Sequence, residues 1–147
     1  MEGNIINNII YFAGIFDGEG CVMIVKTMRI KRKEISPDYY LKLSISNTNK
    51  NIMEWIKDNI GGNYILYISK RQKEKDVYKW FLSGERAYNL LIKIFPYSII
   101  KNKQIKIGME FFNEKCNCQG RKKISTEETL KREYYWKVMK ELNKRGK

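Results

Sequence analysis

Phe12-Ala13-Gly14-Ile15-Phe16-Asp17-Gly18-Glu19-Gly20 is the stretch that decides how this chain is read. Ile6, Ile9, Ile10, Ala13, Ile15 and Phe16 place apolar side chains on more than one face of a helical period. That spacing predicts a helix over residues 5–16, stopped by the glycines of the Asp17–Gly20 turn. Asp17 and Glu19 then stand at the negative end of the helix dipole, where each carboxylate costs about 0.3–1 kcal/mol. Two readings compete for them. In one, Asp17 bonds nearby backbone amides in a local turn. In the other, a divalent cation compensates the carboxylates, since hard oxygen ligands are what Mg²⁺ requires. Ala13-Gly14 removes side-chain bulk, so a second helix can approach closely. One domain's core cannot bury every face of such a helix, whereas an identical helix from a two-fold partner would cover the remaining one.

The rest of the composition narrows the class. The chain has 147 residues, about one domain by size. Its 29 basic and 16 acidic residues leave a formal charge of +13, which points to a polyanionic partner such as nucleic acid. Histidine is absent, which excludes Ser-His-Asp and Cys-His catalysis and any site built on imidazole. At 43 % hydrophobic and 13 % aromatic, the chain can bury a core. No apolar run approaches the roughly 18 residues of a membrane span. The start Met1-Glu2-Gly3-Asn4 lacks the form of a signal peptide. Three sparse cysteines, Cys21, Cys116 and Cys118, argue for a reducing compartment and supply too few ligands for zinc. Lysine outnumbers arginine 22 to 7, and Ile and Asn abound, the bias of AT-rich coding DNA. The expectation is an intracellular protein from an organelle (mitochondrion or chloroplast) or from bacterial or phage cytoplasm, neither secreted nor bound to a membrane.

Beyond Gly20, Cys21–Val25 has strand composition and runs into basic Lys26–Lys33. A loop around Pro37-Asp38 leads to Tyr39–Ser46, where Leu41, Leu43 and Ile45 alternate with polar residues as in a half-buried strand. Thr48 or Asn49 caps a helix carrying Ile52, Trp55, Ile56 and Ile60, which ends at Gly61-Gly62. The order then recurs: strands at Tyr64–Lys70 and Val77–Leu82, and a helix capped by Ser83 and stopped at Pro96. A helical pattern continues through Ile107 and Phe111, and a polar linker spans Asn113–Lys123. The last helix opens on the capping box Ser125-x-x-Glu128 and is expected to bury Leu130, Tyr134, Val138 and Leu142.

The nonapeptide 12–20 resembles the signature of the LAGLIDADG homing endonucleases at nearly every position by residue class, including all three glycines and both acids. The order that follows strengthens the likeness, as do Lys101-Asn102-Lys103-Gln104 and a tail, Leu142–Gly146, similar to that of single-motif members. One copy of the motif is present. The resemblance implies a single domain over 1–147 of mixed α+β class. Its core is α-β-β-α-β-β-α, with an antiparallel saddle-shaped DNA-binding sheet and C-terminal helices. It also implies a homodimer that hydrolyses phosphodiester bonds in both strands of a long pseudo-palindromic double-stranded DNA target, with Mg²⁺ or another divalent cation such as Mn²⁺. Motif helices of two halves then pack through Phe12, Ala13, Gly14 and Phe16.

Carried over by position, Glu19 is the metal ligand with the Gly18 carbonyl beside it, and Asp17 is a structural cap. Many members have Asp where Glu19 stands; Glu keeps the charge and adds one methylene, which alters the metal geometry. Lys101 falls where the family has a lysine near the active site, to polarise the attacking water or offset charge on the phosphate. Asn49 falls where some members position water. The alternative is a cleavage-inactive module, either a maturase for intron RNA or a DNA-binding regulator. A generic RNA-binding protein is the third reading.

A two-stranded ribbon can enter the major groove and present alternate side chains to bases. The candidates for DNA contact are Thr27, Arg29, Lys31, Arg32, Lys42, Ser44, Ser46, Lys70, Arg71 and Lys79, with Lys73 among the neighbouring cations. For any one lysine the competing reading is a solvated strand edge.

Overall fold

Period-two alternation in the second strand sets the centre of the fold. The computed structural model describes residues 2–71, 74–117 and 124–144; Lys73, Cys118 and residues 145–146 lie outside it, as do the side chains of Lys31 and Cys116. The order is α1 (Glu2–Glu19), β1 (Gly20–Lys31), β2 (Glu34–Asn47), α2 (Lys50–Asn59), β3 (Asn63–Tyr67), β4 (Val77–Ser83), α3 (Gly84–Ile94), a 3-10 turn (Phe95–Tyr97), α4 (Asn102–Asn117) and α5 (Thr126–Leu142). This is the α-β-β-α-β-β-α core followed by further helices. The strands pair antiparallel in the order β1-β2-β4-β3.

Tyr39, Leu41, Leu43 and Ile45 of β2 bury one face of the sheet together with Val22 and Ile24 of β1 and Trp80 and Leu82 of β4. All five helices contribute to the layer over that face, through residues such as Phe12, Met53, Leu91, Phe111 and Met139. The opposite face is left without a covering layer. Two glycines close the turn after α2. Gly61 and Gly62 have φ of +102° and +83°, and a Cβ on Gly62 would lie 2.6 Å from Trp80 Nε1. That indole N–H donates to the Gly61 carbonyl at 2.7 Å, so the double glycine seats the largest core side chain.

Several local expectations are corrected. Helix α1 does not stop at Phe16 but runs from Glu2 to Glu19, and neither Gly18 nor Gly20 has a positive φ. Gly20 is needed for close approach instead: a Cβ there would meet the Phe16 ring at 2.3 Å. Pro37-Asp38 lies inside β2, not in a loop. Strand β4 pairs only with Lys42–Asn47, so the second edge of β2 is free at Pro37, where a missing N–H is tolerated. The chain reverses at Arg32-Lys33 instead, with φ of 48° and 69°.

Further along, β3 ends at Tyr67, so Lys70 sits in the following loop. Asn49, not Thr48, caps α2. Ser83 occupies the α3 cap without a side-chain bond. Helix α4 extends to Asn117 and takes up the start of the expected linker. Helix α5 has its predicted cap, Ser125 accepting from the Glu128 N–H, but is rotated: Leu130 and Tyr134 are each 63 % exposed, and Arg132 and Met139 are buried.

Candidate nucleic-acid interface and catalytic centre

The end of α1 is tied to the start of α4 by one carboxylate. Asp17 accepts from the Ser98 hydroxyl and from the backbone N–H groups of Ile99 (2.6 Å), Ile100 (3.2 Å) and Lys101 (3.1 Å). Asp17 is therefore a cap, but of a segment more than eighty residues away in sequence. Burial pushes its carboxyl up; the bonds from Ile99, Ser98, Lys101 and Ile100 together outweigh that and hold it below the ordinary value. Lys101, half-buried, has its carbonyl accepting the first bond of α4 from the Ile105 N–H at 2.9 Å. Lys103, two residues on, is exposed. Ser98 escaped the sequence reading because nothing local marks a residue whose partner is Asp17.

Glu19, free of that cap, is exposed in the last turn of α1, with the Gly18 carbonyl beside it in the chain. Among the described residues, no three His, Cys, Asp or Glu side chains gather into a metal-holding group. The donor chemistry still suits Mg²⁺, which keeps several waters and takes one or two carboxylates plus substrate phosphate, not a full protein cage. Asn49 is exposed, and its side-chain oxygen is committed to the α2 cap, accepting from the Asn51 N–H at 2.9 Å.

Of the four residues expected at a helix-to-helix contact, Phe12, Ala13 and Phe16 lie in the chain's own core and have no surface to offer a second copy. Phe12 packs edge-on against Trp80 with ring centroids 5.6 Å apart. Their spacing of three, four and seven residues from Ile9 places them on the core side of α1. Gly14 alone stays outside, sharing its face with Asn7, Ile10 and Gly18 at helical spacing. Among the described residues, nothing beyond the adjoining backbone of α1 comes within 4 Å of a Cβ built on Gly14 or Gly18.

On the sheet, register settles which cations share a face. Pairings Thr27↔Asp38, Arg29↔Ser36, Ser44↔Phe81 and Ser46↔Lys79 put these residues, with Lys42, on the face opposite the core. Lys31 has the same parity. Pairing of Ile65 with Lys79 and Tyr67 with Val77 adds Ile65 and Tyr67, whose parity could not be read from sequence because β3 is apolar at both. Lys42 Nζ lies 5.1 Å from the Phe81 ring centroid and Lys79 Nζ 4.9 Å from that of Tyr67. These rings fix ammonium groups over the open face. Arg32 is in the hairpin turn, while Lys70 and Arg71 are in the β3–β4 loop, where Arg71 pairs with Glu74 at 3.1 Å. On the core side, Glu133 of α5 accepts from Lys26 Nζ (2.8 Å) and from the Tyr39 hydroxyl, anchoring the last helix to the base of the hairpin.

This architecture has close counterparts. It superposes with a TM-score of 0.75 on the homing endonuclease I-CvuI in complex with its target, at 18 % identity, over 98 % of this chain and 86 % of that one. The archaeal intron-encoded homing endonuclease I-Vdi141I complexed with DNA gives a TM-score of 0.70 at 17 % identity, over 93 % and 84 % of the two chains. In sequence, a probable intron-encoded endonuclease, aI3, of Dictyostelium citrinum is 26 % identical over 106 residues. That stretch is 71 % of this chain, and the chain spans 41 % of the relative's length. No helix among the described residues is long and apolar enough to cross a membrane. Residues 12–111, from the motif at the end of α1 through the face of α4 that closes the core, match the LAGLIDADG endonuclease model, and the chain belongs to that family.

Proposed function

We propose that the protein is a site-specific DNA endonuclease that requires a divalent cation and acts as a two-fold dimer on a long double-stranded target. The observation that carries the reading is the Asp17 cap. By satisfying Ser98–Lys101, it holds Lys101 against the same helix end that exposes Glu19. A structural carboxylate and a free one are thereby separated within three residues, and only the free one is left for chemistry.

Glu19 and the Gly18 carbonyl would hold a divalent cation, which would neutralise charge developing on the scissile phosphate. Lys101 stabilises negative charge on the same phosphate or polarises the attacking water. Asn49, with its oxygen held in the α2 cap, orients water through its amide group. The attacking water adds to phosphorus in line with the departing 3′ oxygen. No step needs a histidine, which the chain lacks.

The outward strip Asn7-Ile10-Gly14-Gly18 supports a second copy packing along α1, because small residues permit close approach of backbones. Two copies would bring two such centres together and double the span of the open sheet face. Thr27, Arg29, Lys31, Lys42, Ser44, Ser46 and Lys79 then lie along the major groove, and Arg32, Lys70 and Arg71 reach phosphates from the loops. The lysine-rich composition and the intron-encoded relative support a gene carried by an intron in an AT-rich, for instance organellar, genome.

The test is cleavage of a random double-stranded DNA library with Mg²⁺, with and without EDTA, followed by sequencing of the ends. Specific, chelator-sensitive ends are expected, and Glu19→Gln should abolish them while leaving affinity intact. Cleavage at an unchanged rate by that variant removes Glu19 from the chemistry. Selective retention of one sequence without cutting identifies a binding module instead.

A further inference from the structure

The open sheet face carries a carboxylate where a surface meant for phosphates disfavours one. Asp38 of β2 is the only acidic residue among the open-face positions of the paired strands away from the hairpin turn. It is not solvated freely: its side chain is 13 % exposed and lies 2.8 Å from Nη2 of Arg29, whose own side chain is 60 % exposed. The two sit diagonally across β1 and β2, Thr27 facing Asp38 and Arg29 facing Ser36. A surface ion pair of this kind adds little to stability. Nor does a phosphate contact need it, since a non-specific contact requires only charge.

The choice of arginine is informative in a chain with 22 lysines and 7 arginines. Lys42 and Lys79, the other described open-face cations of the sheet, rest over aromatic rings, which leaves the ammonium a point charge. Arg29 is held from one side by a carboxylate. A guanidinium has two bidentate edges that share Nη2 through different hydrogens. Occupying one hydrogen of Nη2 fixes the plane and leaves one edge whole for two parallel acceptors. Guanine presents that pair, O6 and N7, in the major groove.

Resting on the DNA-binding reading above, we infer that Arg29 is a specificity-determining residue that reads a guanine in the major groove, and that Asp38 is the positioning residue that aims it. Asp38 also screens Arg29 from phosphates, so the guanidinium is steered toward base edges and away from the backbone.

The experiment is selection of bound sequences from a random duplex library by the full chain, the metal replaced by Ca²⁺, for wild type, Asp38→Asn, Arg29→Lys and Lys79→Ala. Thermal melting of each variant checks that it folds. Wild type should enrich guanine at one position in each half-site. Arg29→Lys should lose that preference by roughly tenfold while keeping its salt dependence, because the charge is retained. Asp38→Asn should lose it several-fold at the same position with no loss of overall affinity. Lys79→Ala should weaken every sequence alike and flatten the salt dependence. Guanine preference unchanged in Asp38→Asn overturns the pairing. Preference for cytosine opposite Asp38, lost in Asp38→Asn but kept in Arg29→Lys, also overturns it and makes the carboxylate itself the reader. Failure of wild type to enrich any sequence, while folded, overturns the DNA-binding reading and this inference with it.

Discussion

Asp17→Asn isolates the link between α1 and α4. The substitution keeps the side chain's size, removes its charge and turns an NH₂ group toward a cluster that offers only donors. Four donors converge on the wild-type carboxylate. Hydrogen bonds to a charged group contribute about 1.5–3 kcal/mol each when their partners lose water. Little of that is lost at Ile99 and Ile100, which are 86 % and 68 % exposed and whose N–H groups water can reach. Ser98 is buried, so its bond counts in full, at about 1.5 kcal/mol. Loss of the bond from the half-buried Lys101 N–H adds about 1 kcal/mol. Against these, removing a negative charge from the C-terminal end of α1 returns about 0.5 kcal/mol. The net destabilisation is about 2 kcal/mol, or a melting temperature lower by about 4–8 °C for a chain of this size. The pH dependence has a definite sign. The hydrogen bonds hold the folded carboxyl below its ordinary value despite burial, so the stabilisation is complete above about pH 4 and is lost as pH falls through the folded value. Urea unfolding of both proteins at pH 7 and at a pH low enough to protonate the folded carboxyl should therefore show a full gap at the first and a much smaller one at the second. An equal gap at both would trace the effect to shape instead of charge. No gap at pH 7 would mean that the segment 98–101 keeps its place without Asp17.

Gly14→Leu should leave the far-ultraviolet circular dichroism unchanged, because among the described residues nothing beyond the adjoining backbone of α1 lies within 4 Å of a Cβ there. It should shift sedimentation toward monomer; an unaltered profile would rule out α1 as the contact. Gly62→Ala, at φ +83° and 2.6 Å from Trp80 Nε1, should destabilise by more than about 1 kcal/mol, read as a lower urea midpoint with an altered tryptophan environment. Replacing Arg32-Lys33 by Asn-Gly should stabilise the fold by about 1 kcal/mol, since those residues adopt positive φ with less strain. The same change should lower DNA affinity and reduce the slope of its salt dependence by about 1–2, as lost phosphate contacts would.

Much of the fold was legible because local signals and global packing agree. Tyr39–Ile45 alternates cleanly, Asn49 and Ser125 cap where they should, and Gly61-Gly62 ends α2. What failed did so where a distant neighbour decides. Asp17 was legible as a cap, but not what it caps, because its dipole cost was visible and the distant donors of Ser98–Lys101 were not. Phe12, Ala13 and Phe16 were placed at a helix-to-helix contact by the family resemblance, and a helix apolar on several sides does not itself say which side meets its own sheet; Trp80 decides that. Helix α5 was misrotated because Leu130 and Tyr134 look like core, whereas the aliphatic stem of Arg132 and the Glu133–Tyr39 bond set its angle. The open-face cations, by contrast, were readable on β1 and β2, where polar residues hold one parity, and unreadable on β3, where apolar ones hold both.

The distal hairpin extends past the core on strand pairing alone. From Lys26 to Ser36 the described side chains are exposed on both faces, and Glu133 grips the row that runs from Val22 and Ile24 at Lys26. Beyond that point Met28, Ile30 and Ile35 project past the helices. Ile30 and Ile35 face each other directly, so the pair covers part of its own apolar surface across the strands. An isolated two-stranded ribbon is marginal in water, and two side chains held at positive φ in the turn add strain. The ribbon persists because its ladder continues without interruption into the buried rows of β1 and β2. Its front face, Thr27, Arg29, Ser36 and Asp38, takes its register from that ladder. If this face meets DNA as proposed, side chains already set in register would lose less entropy on binding, and a fixed Arg29 would favour base reading over bare affinity.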